Sequence, residues 1–155
     1  AGPHAAASPA VAGAEMVAGK TRCSIVRDGT ELVCGNTDVG YRRLYHEEIP
    51  RLMVGLDGVR DLHFITAEEQ GVTMGSTITV SEAERWCDDC LRTRPPHTTR
   101  FVAVLREQIR YFANRLVRNV GTLGGSLCAA DALSDLYPVW LATDSQVQIL
   151  GSEEG

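Results

Sequence analysis

The chain has no cluster of Lys and Arg, and its net charge is -5. Nucleic acid is therefore not an expected partner, because binding a phosphate backbone needs concentrated positive charge. No apolar run approaches the roughly 20 residues of a membrane helix, so no membrane partner is expected. The five cysteines, Cys23, Cys34, Cys87, Cys90 and Cys128, are odd in number and lack the spacing of a disulfide framework. Free thiols fit a reducing, cytosol-like compartment. Cys87-Asp-Asp-Cys90 has no second ligand pair, and His4, His46, His63 and His97 show no ligand spacing, so no metal site is expected. On a helix, Val80, Ala83, Cys87, Cys90 and Leu91 share one face and read as a buried stripe. No Ser/His/Asp, Cys/His or paired-carboxylate pattern marks a catalytic side chain.

What remains is a chain of 155 residues, 44% hydrophobic and 23% charged, the size and composition of one globular domain. Residues 1–30 are of low complexity, and their AGPHAAASPAVAGAEMVAGK start is rich in Ala, Gly and Pro. That start matches neither a secretory signal nor a transit peptide and is expected to be disordered or loosely attached. The missing initiator Met and the GSEEG ending suggest a fragment.

Strands are expected at 32–34, 51–54, 63–66 and 72–74, with Asp57-Gly58 as a turn. Thr79-Val80-Ser81-Glu82 has the spacing of a capping box, which predicts a helix from Thr79 to about Arg92, stopped by Pro95 and Pro96. Thr98 or Thr99 can cap a second helix. Its apolar residues Phe101, Leu105, Ile109, Phe112 and Leu116 repeat at steps of four and three, carrying it to about Arg118. A short helix over 136–142 and a strand over 146–150 complete an α+β pattern.

Two glycine-bearing segments stand out. GTLGGS, with Gly121, Gly124 and Gly125 among small and hydroxylated residues, lets backbone amides approach an anion because no Cβ intervenes. GNTDVG, at 35–40, is a second such loop after an apolar run. Two in one domain suggest a dinucleotide whose pyrophosphate lies between them. GTLGGS is neither a Rossmann fingerprint nor a P-loop, and a ligand-free turn stays open for each segment. Asn36 and Asp38 suit an Asx-turn. Asp135 either caps the helix at Leu136 or accepts a hydrogen bond from a ligand hydroxyl.

In register, LVCGNTDVG, TITVSEAERW, QIRYFANRLVRNVGTLGGS and SDLYPVW resemble the FAD-binding domain of the molybdenum hydroxylases, the xanthine dehydrogenases above all and the related aldehyde oxidases. The resemblance implies an α+β, two-subdomain FAD-binding domain over 31–155, incomplete at both ends. It implies that Leu32, Val33, Cys34, Gly35, Asn36, Thr37, Asp38 and Val39 bind FAD on its pyrophosphate and adenine side. Thr122, Leu123, Gly124, Gly125 and Ser126 form the second contact, with Phe112 near the flavin and Asp135 beside the ribityl or phosphate chain. No residue is assigned to catalysis or to a metal. Ser126 stands where Asn is usual, and Cys34 where Val or Ala is usual. Residues 1–30 do not look like the strand and helix that usually precede the first motif.

The resemblance further implies molybdopterin and 2Fe-2S clusters in domains not present here. Electrons would pass from those centres through FAD to NAD+ or oxygen, in an enzyme that is a homodimer when complete. It would lie in the cytoplasm, with the peroxisome as the alternative. The segment alone is expected to be inactive. An open half-pocket is expected to bind FAD weakly or not at all, and the last strand to lack a pairing partner. A non-catalytic remnant or a protein-interaction domain is the other reading.

Overall fold

The computed structural model describes residues 15–19, 29–46, 49–68, 71–130 and 134–150. A four-stranded sheet runs in the order β4 (Ile65–Ala67), β5 (Val72–Gly75), β1 (Glu15–Gly19) and β6 (Gln146–Leu150). β1 is parallel to both neighbours, meeting β5 at Glu15–Thr73 and β6 from Glu15–Gln146 to Gly19–Leu150, whereas β4 and β5 are antiparallel. A second sheet pairs β2 (Thr30–Val33) in parallel with β3 (Leu52–Gly55). Helix α1 (Thr37–Tyr45) makes the crossover that a parallel pair requires. The α+β expectation holds.

Two differences from the sequence reading follow from this topology. β6 has a partner, correcting the expectation of an unpaired last strand. That partner, EMVAG, lies within the low-complexity segment 1–30, where composition hides a strand that long-range pairing selects. The rest of that segment up to residue 28 lies outside the described residues. Helix α1 was not expected either. Val39 is its one buried residue, while Tyr41, Leu44 and Tyr45 are exposed, so no apolar stripe announces it.

The core lies between the larger sheet and the helices that follow it. Val72 and Met74 of β5 are buried there with Ile78. α2 (Val80–Thr93) opens on the expected capping box: the Glu82 amide donates to Thr79 Oγ1 at 3.2 Å, and Glu82 Oε2 accepts from the Thr79 amide at 2.9 Å. Burial raises the Glu82 carboxyl, but its bonds from the Thr79 amide and hydroxyl outweigh this, leaving it below its usual value. Val80, Ala83, Cys87 and Cys90 form the buried stripe, and Leu91 falls outside it at 38% exposure.

The long second helix is two helices. α3 (Arg100–Ile109) buries Val102, Leu105 and Ile109. The chain then turns through Ala113 at φ 40, and Asn114 caps α4 (Arg115–Val120) by accepting from the Val117 amide at 3.0 Å. The apolar period runs on across this break, but Leu116 is 77% exposed. Arg118 donates from α4 to the Ile109 carbonyl at 2.9 Å, tying the two helices together. Thr99 holds the N-cap position of α3 but directs its hydroxyl to the Pro95 and Pro96 carbonyls, so it gives α3 no side-chain cap. α5 (Leu123–Ala129) and α6 (Tyr137–Ala142) complete the helices. Leu136, not Asp135, is the N-cap of α6. Among the described residues, no helix is long and apolar enough to cross a membrane.

Truncation at two leucines of the apparent stripe separates core from surface. Leu105→Ala is expected to lower unfolding free energy by about 2–5 kcal/mol, the range for a fully buried leucine. Leu116→Ala should change it by less than about 0.5 kcal/mol. Urea denaturation followed by circular dichroism measures both.

Candidate functional site

β2 runs into a turn in which Gly35 (φ 71) and Asn36 (φ 54) are both left-handed, and α1 leaves it at Thr37. Glycine is required at 35 for two reasons. Its φ disfavours a side chain, and a Cβ there would stand 1.9 Å from the Val120 carbonyl oxygen. The two glycine segments therefore pack against each other. A Cβ on Gly125 would lie 3.7 Å from the Cys34 carbonyl, and one on Gly121 would lie 3.7 Å from Thr37 Oγ1. The two segments are thus in direct contact.

Their backbones are used differently. In the second segment, Thr122 caps α5, its Oγ1 accepting from the Gly125 amide at 3.0 Å. The Leu123 amide donates to the Ile78 carbonyl at 2.9 Å, the Gly124 amide to Ser76 at 3.0 Å, and the Ser126 amide to Thr122 at 3.0 Å. Four successive amides thus have acceptors inside the protein. This corrects the expectation that the GTLGGS amides face an anion: glycine here permits close packing instead. A Cβ on Gly124 would stand 2.5 Å from Ser76 Cβ. The Ser76 hydroxyl beneath it is buried with no hydrogen-bond partner.

In the first segment the amides are open. Asn36 makes no side-chain cap, and the Gly40 amide to the Asn36 carbonyl, at 3.2 Å, is the first bond of α1. Among the described residues, the Thr37, Asp38 and Val39 amides have no acceptor. They lie at the positive end of a helix dipole. One donor of this turn is engaged: the Gly35 amide donates to Asp57 Oδ1 at 3.4 Å, beside the Cys34 thiol at 3.5 Å from the same oxygen. Burial first, then the Asp57 charge, push the Cys34 thiol up to about 11, so it stays protonated at neutral pH.

The remaining expected residues are arranged around this contact. Leu32 is half-buried and Val33 buried in β2, while Asn36, Thr37 and Asp38 are exposed. Leu123 is buried and Ser126 half-buried in α5. Ser126 Oγ pairs with Ser134 Oγ at 3.2 Å, which brings the segment of half-buried Asp135 to α5. Phe112 belongs to the turn after α3, where it packs half-buried on the core.

Residues 10–155 match the family described as the FAD binding domain in molybdopterin dehydrogenase. The chain belongs to this family. Xanthine dehydrogenase 2 of Arabidopsis thaliana is 32% identical over 121 residues, 77% of this chain and 9% of that protein. Aldehyde oxidase 1 of Cavia porcellus is 27% identical over 124 residues, 80% of this chain and 9% of its own length. In fold, the chain is similar to quinoline 2-oxidoreductase from Pseudomonas putida 86, with TM-score 0.56 and 22% identity over 78% of this chain and 41% of that one. The chain thus spans about a tenth of the curated relatives it matches. FAD is the cofactor of the family, and the match begins at residue 10, inside the segment set apart by composition.

Two neighbours of this flavin-domain site were not expected. Asp57 reads in sequence only as half of a turn, and Ser76 as a residue ahead of a capping box; neither has a local signal for its partner. The glycine contacts themselves are testable. Gly35→Ala is expected to destabilise the fold by about 1–3 kcal/mol or more, from its φ and its clash. Gly58→Ala, whose Cβ would meet nothing within 4 Å, should stay within about 0.5 kcal/mol of wild type. Thermal denaturation of the two variants side by side decides it.

Proposed function

We propose that the chain is the FAD-holding segment of a molybdenum hydroxylase of the xanthine dehydrogenase type. Leu32, Val33, Cys34, Gly35, Asn36, Thr37, Asp38 and Val39 form one wall of the cofactor site, and Thr122, Leu123, Gly124, Gly125 and Ser126 form the other. Phe112 and Asp135 act toward the flavin and the ribityl or phosphate chain. The observation that carries this reading is the asymmetric contact between the walls. Open amides at the start of α1 offer hydrogen bonds to phosphate oxygens, while the second wall spends its own amides on holding shape.

When bound, FAD supplies the redox chemistry, and the protein supplies binding and orientation. The turn at Gly35 brings the backbone close, the Ser126–Ser134 pair positions the Asp135 segment, and no side chain has to move a proton. In the whole enzyme this segment serves a relay from molybdopterin and 2Fe-2S domains to NAD+ or oxygen, in a cytoplasmic homodimer.

Titration of the purified chain with FAD, followed by flavin fluorescence, tests the reading. Saturable binding is expected, and its absence at accessible concentrations would overturn it. Gly125→Val should weaken that binding at least about tenfold, the scale of one lost packing contact in a ligand site. The physical reason is contact rather than backbone angle, since a Cβ there would press on Thr122 Oγ1 at 2.8 Å. In a complete enzyme the same variant should lose flavin content and NAD+ reduction while its molybdenum site is still reduced by substrate.

A further inference from the structure

Asp57 is the one carboxylate of the described residues that rests on the glycine turn. Its Oδ1 accepts from the Gly35 amide at 3.4 Å and from the Cys34 thiol at 3.5 Å. Among the described residues no cation pairs with it. The other acidic side chains near this turn are compensated: Arg42 bridges Glu31 and Asp38, the latter at 2.9 Å. Asp57 thus occupies a donor of the same turn whose neighbouring amides are open, and it brings an uncompensated negative charge there.

We propose that Asp57 is a resident anion on this turn which an incoming pyrophosphate must displace, and that it thereby sets the affinity of the chain for its dinucleotide. This rests on the FAD reading above. A carboxylate and a phosphate cannot share the Gly35 amide, and at a few ångströms their repulsion persists even if Asp57 swings aside. The turn consequently discriminates by charge: it is weakened toward anionic ligands and indifferent to neutral ones. The Cys34 thiol reports the contact, because the same carboxylate disfavours its thiolate.

Asp57→Asn keeps an oxygen for the Gly35 amide and removes the charge. In the full chain, the variant is expected to bind FAD about fivefold more tightly at low salt, with the gain shrinking as salt screens the exposed charges. Riboflavin, which lacks phosphate, should bind both proteins equally. Cys34 should react faster with iodoacetamide in the variant, read by peptide mass spectrometry. Unchanged FAD affinity, an equal gain for riboflavin, or an unchanged alkylation rate would each overturn the inference while leaving the FAD reading standing. Failure of both proteins to bind FAD would overturn that reading, and this inference with it, whatever the alkylation rate.

Discussion

Two close backbone approaches among the described residues hold the site together, and the rest of it depends on them. Gly35 lies against the Val120 carbonyl, and Gly124 lies against Ser76. Neither approach leaves room for a Cβ. The first joins the β2–α1 turn to the end of α4, and so links the small sheet to the helical layer. The second, with the Val80 amide donating to the Gly121 carbonyl at 2.9 Å and the Leu123 amide donating to Ile78, straps α5 to the segment that opens α2. A half-buried capping box and a buried apolar stripe on α2 then hold that segment to the core.

This arrangement divides labour between two segments that look alike in sequence. Buried amides need acceptors, and those of residues 123–126 find them at Ile78, Ser76 and Thr122. The turn at 35–39 is exposed on one side, so its amides can remain open. Open amides therefore arise where packing is incomplete, beside a segment whose own amides are satisfied. Asp57 shows the electrostatic side of the same fact, since an open donor attracts whatever negative charge is within reach.

The parts of the fold legible in sequence were those with a local cause. Thr79 and Glu82 stabilise the start of α2 within one turn, and the spacing of Val80, Ala83, Cys87 and Cys90 marks its buried face. The strands at Leu52–Gly55, Val72–Gly75 and Gln146–Leu150 were visible from short apolar or β-branched runs. The break between α3 and α4 was not, because Phe112 and Leu116 continue the helical period while Asn114 interrupts the helix with its side chain. Nor was β1, whose residues have little strand propensity and gain their partners only across the domain. The cofactor family was legible through motifs in register, whereas the partners of the individual amides were not.

By itself the sequence determined the α+β class, the capping and stripe of α2, the two glycine segments and the family they mark. Each of these is carried by residues a few positions apart, so short-range geometry suffices. Only the tertiary structure decided which glycine segment keeps its amides open, that β6 pairs with β1, and that Asp57 sits on the Gly35 turn. Those outcomes depend on residues 22 to 131 positions apart, as the Gly35–Asp57 and Glu15–Gln146 contacts illustrate. Which distant acceptor reaches a buried amide is settled by the packing of the whole core, and no local pattern encodes it.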